Sequence, residues 1–314
     1  MRKLFVALII LAISGLGAIY LFIPGKLSVS SIKLINTTPR GVEKFLSGER
    51  ANWLKWWPAN DSGTMAVGNK FRYNDIEYAV AATNTNFVEI TIKTKDSVIH
   101  SLLSIIPVRF DSVALQWEFV IDAGLNPFKK IRTYQNAKGI KTDLSFLLEN
   151  FKFFAEKAKN IYGFNIQRTT VKDTFFIATR METDTYPSMP VVYDQVKKLR
   201  ENIKLQNAGE TNYPMMHVTW IDKDHFETMV AIPINKPIVP SANNFMRKMT
   251  PGNILVTEVS GGIATIANAY TELDNYKHDF HLESPAIPFE LMITDRSVIT
   301  DTAKWITKVY YPVF

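Results

Sequence analysis

The chain has 314 residues, 46% hydrophobic and 21% charged, enough to bury one large core or two medium ones. With 14 glycines, 15 prolines and no long low-complexity tract, it is not a disordered, collagenous or polyelectrolyte chain. Its 36 lysines and arginines against 30 acidic residues leave a net charge of +6, scattered in nothing longer than pairs such as Lys129-Lys130, which argues against nucleic acid as a partner. The absence of cysteine removes disulfides, thiolate metal sites and cysteine nucleophiles together.

In chain order, Leu4 to Ile23 carries no charge, follows Arg2-Lys3, and matches in helical length the ~30 Å hydrocarbon core of a bilayer. No small-x-small cleavage site follows, so residues 1–26 are expected to form an uncleaved single-pass transmembrane anchor. Its amino terminus is expected in the cytoplasm, with the rest of the chain extracytoplasmic (periplasmic). Leu27 to Asn36 then reads as a strand, and Thr37-Thr38-Pro39 as a helix start. Phe71 to Tyr78, Phe87 to Thr94, Val98 to Ile106 and Ser112 to Ile121 read as antiparallel strands; Val113, Leu115, Trp117 and Phe119 share one face of the last. Leu144, Leu147, Leu148, Phe151, Ala155 and Ile161 form an apolar stripe that predicts a helix from Thr142 to Tyr162, stopped by Gly163. The sequons at Asn36 and Asn60 matter only in a glycosylating host.

This order of strand, short helices, antiparallel strands and long helix, with Pro39 and the aromatic run Trp53 to Pro58, resembles the START-like or polyketide cyclase (SRPBCC) superfamily over residues 27–163. The resemblance implies a sheet wrapped around the last helix with an apolar cavity between them; it carries over no catalytic residue. Core packing, the cavity mouth and a membrane interface remain open for Trp53, Trp56 and Trp57.

Residues 164–314 contain a duplication. Pro214 to Asp222 with Phe226 to Ile234 matches Pro288 to Asp295 with Lys304 to Val313, the leading prolines being 74 residues apart. Each hairpin is preceded by a strand and a helix, so two β-α-β-β units are expected in an α+β chain. Gly252 to Gly262, Tyr270, Leu273, Ile287-Pro288-Phe289-Glu290-Leu291 and the closing strand from Trp305 resemble the GyrI-like effector-binding fold, shared with AraC-type and MerR-type regulators and the SOUL proteins. That resemblance implies a groove between the two units with Glu290 facing a ligand. Glu290 stands in an apolar strand, where a carboxylate must be paired, hydrogen-bonded or raised in pKa. Trp220, Tyr270, Trp305 and Tyr310 are the candidate ring faces around it.

The expected function is therefore noncatalytic binding of a hydrophobic or amphipathic small molecule by a sensor or carrier, with no cofactor and no metal. A Glu290-dependent hydrolase is the alternative, although no nucleophile elbow, zinc motif or phosphate loop is present. His278 and His281, near a predicted helix end, are read as capping groups rather than metal ligands. No oligomeric state follows from the sequence.

Overall fold

The computed structural model describes residues 2–48, 50–58, 66–172, 175–222, 224–241 and 243–314, in two units, Met1–Lys157 and Ala158–Phe314. The sequon at Asn60 lies outside the described residues. A first helix, α1 (Arg2–Phe22), bears on the anchor expectation. Among the described residues no helix is long and apolar enough to cross a membrane. Single-pass anchoring, and the extracytoplasmic placement drawn from it, are thereby overturned. The end of α1 is tied instead to its own unit: the Tyr20 hydroxyl donates to the Leu125 carbonyl at 2.6 Å, and Lys130 Nζ lies 4.7 Å from the Tyr20 ring centroid.

The first unit is one antiparallel sheet of β1 (Lys26–Ile35), β2 (Ala66–Val67), β3 (Lys70–Tyr73), β4 (Ile76–Asn84), β5 (Phe87–Lys93), β6 (Val98–Arg109) and β7 (Ser112–Asp122), ordered β1-β7-β6-β5-β4-β3-β2. Period-2 alternation makes the sheet two-faced: Val113, Leu115, Trp117 and Phe119 of β7 are buried while Glu118 between them is not. The single strand expected from Phe71 to Tyr78 is two, because Asn74 and Asp75 adopt φ of +46° and +62° and make a tight hairpin turn of the kind those residue types favour. Helix α2 (Pro39–Leu46) starts where expected, with Thr38 Oγ1 accepting from the Gly41 amide at 3.2 Å.

The long helix α3 (Pro127–Ala155) begins at Pro127 rather than Thr142, since Asn126 caps it by accepting from the Phe128 and Lys129 amides. Its Leu144, Leu147, Leu148 and Phe151 are buried. Rings fill the interior: Trp53 lies 4.9 Å from Trp56 and 5.5 Å from Phe71, Trp56 lies 4.9 Å from Phe151, and Tyr78 lies 5.8 Å from Trp117. Core packing is therefore what Trp53, Trp56 and Trp57 do, all three being buried.

In the second unit α4 (Ala158–Tyr162) ends at Gly163, whose φ of +78° is left-handed backbone that stops a helix. Two β-α-β-β halves follow: β9 (Phe175–Thr183), α5 (Met189–Leu205), β10 (Met215–Asp222) and β11 (His225–Ile234), then β13 (Asn253–Ser260), α6 (Ile263–Asp279), β14 (Phe289–Met292) and β15 (Ile306–Val313). With edge strands β8 (Gln167–Thr170) and β12 (Asn244–Lys248), which the sequence reading did not anticipate, the sheet runs β12-β9-β11-β10-β14-β15-β13-β8. The halves meet where β10 pairs with β14, Met216 opposite Glu290. Those two residues are 74 apart, the same offset as Pro214 and Pro288, so equivalent residues face each other and a pseudo-twofold axis passes between them. In the second strands the offset becomes 79, set by Pro233 and Pro312, and the registers agree: Val218 lies opposite Thr228 as Met292 lies opposite Thr307.

Val192, Val196, Leu199 and Ile203 of α5 pack with Met216, Val230, Ile232 and Met292 on one face of this sheet. The other face gathers Met215, Ala231 and Leu291 with Phe289 and Tyr310. Glu290 and Met292 thus point toward the helices, and Phe289 and Leu291 away from them, as strand alternation requires.

Candidate functional site

Glu290 sits at the pseudo-twofold axis and is 3% exposed; Arg296, six residues on and 2% exposed, completes a buried ion pair. Arg296 Nη2 donates to Glu290 Oε2 at 2.7 Å and to Thr307 Oγ1 at 2.8 Å. The turn that delivers the arginine is held locally. Asp295 Oδ1 accepts from the Ser297 amide at 3.0 Å, and the Arg296 amide donates to the Tyr193 hydroxyl oxygen at 2.8 Å. The guanidinium lies 4.6 Å from the Trp305 ring centroid, and Trp305 Nε1 in turn donates to the Ile299 carbonyl at 2.8 Å. Burial pushes the Glu290 carboxyl above the usual carboxylate range, and the adjacent guanidinium opposes that rise.

Glu290 lines a cavity of about 310 Å³ on the helix-covered side. Trp220 and Phe226 come to it from the first half's hairpin, Tyr186 from the turn before α5, and Ile266 and Tyr270 from α6. The Tyr186 ring lies 6.1 Å from Phe226, and burial with the nearby Glu290 charge pushes its hydroxyl up to about 12. The Tyr270 hydroxyl is raised well above its ordinary 10.0 by burial first and by Glu290 second. His217, also on the wall, places Nε2 2.8 Å from Thr219 Oγ1. Burial lowers its pKa despite a hydrogen bond to the Pro288 carbonyl. Chemically the arrangement is an apolar, aromatic pocket with one carboxylate and two neutral phenols, suited to holding and orienting an amphipathic molecule.

Of the residues expected at the site, Glu290, Trp220 and Tyr270 line this one cavity, whereas Trp305 and Tyr310 do not. Trp305 is buried against Arg296 because its ring forms the floor under the guanidinium. Tyr310 is on the opposite face, stacked on Phe289 at 5.1 Å, because its register partner points away from the helices. Phe289 lines a separate apolar cavity of about 280 Å³ there with Met215 and Met229. Arg296, Tyr186, His217 and Phe226 were not anticipated; the one available signal for Arg296 was a cation closely following an apolar strand that contains a carboxylate. His278 bonds within its helix, Nε2 lying 3.3 Å from Asp274 Oδ2, and His281 follows the helix with φ of +52°.

No family model and no curated protein sequence matches this chain. Among solved structures it is similar to the EcmrR C-terminal domain, at 14% identity over 48% of this chain and 98% of that one, TM-score 0.42. It is also similar to a hydrolase from Listeria innocua, at 14% identity over 54% of this chain and 98% of that one, TM-score 0.37. A third similarity is to SAV2435 bound to tetraphenylphosphonium, at 14% identity over 48% of this chain and 93% of that one, TM-score 0.32.

Proposed function

We propose that the second unit is a GyrI-like binding module that takes a hydrophobic or amphipathic small molecule into the Glu290 cavity, acting as a sensor or carrier beside a START-like first unit. The observation that carries this is a carboxylate 3% exposed yet lining an aromatic cavity at the pseudo-twofold axis. A buried ion pair contributes little net stability, which supports a role for this carboxylate toward what the cavity holds. Trp220, Tyr186 and Phe226 supply ring faces, and Tyr270 supplies a neutral hydroxyl. The alternative is a Glu290-dependent hydrolase, in which the carboxylate would activate water; the aromatic lining favours the binding reading.

The test uses the full chain and an uncharged solvatochromic dye, Nile red, with native mass spectrometry of the purified protein for a retained small molecule. Ala267 lines the cavity, so Ala267→Phe fills it. Dye affinity is expected to fall about tenfold or more in that variant, corresponding to ~1.4 kcal/mol. Unchanged dye affinity in a folded Ala267→Phe protein would overturn the assignment.

A further inference from the structure

Resting on that binding reading, we infer that Arg296 sets the charge preference of the cavity, so that its ligand is an uncharged amphiphile with a hydrogen-bond donor, not a cation. The carboxylate that would otherwise attract a cation is already paired. Its Oε2 accepts from Arg296 at 2.7 Å, and the two side chains are only 4% and 1% exposed. Arg296 itself is buried and is not among the residues that line the cavity. Glu290 Oε1 receives no hydrogen bond from any described residue, which leaves one acceptor for a guest.

Arg296 is not free to move aside. Glu290 and Thr307 hold Nη2, the Trp305 ring lies under the guanidinium, and the Tyr193 hydroxyl holds the backbone amide. An incoming cation would therefore share one carboxylate with a fixed cation in a low-dielectric site, where like charges repel strongly. The other half of the fold offers no second anion. Met216 stands in the place of Glu290, and Asp222, at the 74-residue offset from Arg296, is on an exposed hairpin and bonds to His225 at 2.7 Å. The remaining titratable groups on the wall, Tyr186, Tyr270 and His217, all have their charged forms disfavoured by burial. Glu227, which acts on His217, lies 3.5 Å from Arg180 in its own ion pair. The site is thus electroneutral, with hydroxyl donors and a carboxylate acceptor around an apolar volume of about 310 Å³.

The experiment is calorimetric titration of the full chain with two probes of equal shape, naphthylmethanol and naphthylmethylammonium. The wild type is expected to bind the alcohol about tenfold more tightly or better. Arg296→Met is expected to reverse that order, while Arg296→Lys, which keeps the cation, retains it. A merely structural arginine would weaken both probes alike and leave their ratio unchanged. Where Arg296→Met does not fold, Arg296→Gln, which keeps a hydrogen-bond donor for Glu290 but removes the cation, is expected to reverse the order as well. A wild type that binds the ammonium as tightly as the alcohol, or an Arg296→Gln variant that keeps the wild-type ratio, overturns the inference and leaves the binding function standing. A wild type that binds neither probe nor Nile red overturns the binding function itself.

Discussion

The first unit closes the space between sheet and helix with rings: Trp53, Trp56, Trp57, Phe71, Trp117 and Phe151 are all buried. The second unit leaves, on the corresponding helix-covered side, a cavity floored by a carboxylate and backed by an arginine. Each is a twisted antiparallel sheet with helices on one face, and the difference lies in what the inward strand positions carry. A ring at such a position contributes burial and contact. An ion pair there contributes little or no net stability but holds a polar group at a defined point in an apolar space. The comparison within the second unit is sharper still, since Met216 and Thr228 occupy in one half the places that Glu290 and Thr307 occupy in the other.

Removing half of the ion pair should have the greatest consequence. Arg296→Met leaves a buried carboxylate unpaired and is expected to cost about 3–5 kcal/mol in urea unfolding, most of it recovered when Glu290→Met is added. A single variant no less stable than the double would show that the pair is not buried as described. Trp117→Ala is expected to cost a similar ~3–5 kcal/mol through the void it leaves, yet to leave Nile red affinity unchanged. A loss of dye binding there would put the ligand in the first unit.

The two pseudo-equivalent threonines differ in their partners. Thr307 Oγ1 accepts from Arg296, whereas Thr228, fully buried, has no hydrogen-bond partner for Oγ1 among the described residues. Thr307→Val is expected to destabilise by about 1–3 kcal/mol, but Thr228→Val to be neutral or stabilising. Equal losses would contradict the asymmetry. Thr38→Ala, removing the cap of α2, is expected to cost about 1 kcal/mol of first-unit stability and nothing in binding.

A pH response is also expected from the buried carboxylate of the second unit. The folded Glu290 carboxyl titrates above its ordinary 4.5, so the folded state holds the proton more tightly than the unfolded one. Its contribution to stability is therefore complete below that ordinary value and is lost as pH rises through the folded pKa. The urea midpoint of the wild type, measured against Glu290→Gln across that window, should show a decline with rising pH that the variant lacks.

Much of this was legible residue by residue. Thr38-Pro39 announced α2, the alternation in β7 announced its buried face, and the duplicated Pro214 and Pro288 hairpins announced two halves. Where the reading went astray, a local pattern had competing meanings. Asn74-Asp75 reads as part of one strand from Phe71 to Tyr78, whereas its left-handed backbone makes it a hairpin turn. The stripe from Leu144 marked only the more apolar later turns of α3, because the earlier buried positions include Lys130 and Thr133. An apolar amino-terminal run looked like an anchor, whereas among the described residues no helix meets the length and apolarity a crossing requires.

Arg296 could not be read in the same way. In sequence, Asp295-Arg296-Ser297 is an ordinary polar turn. It becomes the partner of Glu290 only because the β14 to β15 register places Thr307 beside the strand and Trp305 beneath the guanidinium. Strands, helices and the internal repeat follow from side-chain period and capping, which neighbouring residues determine among themselves. The charge of the cavity, by contrast, depends on which distant groups are desolvated together, and only the tertiary packing of both halves decides that.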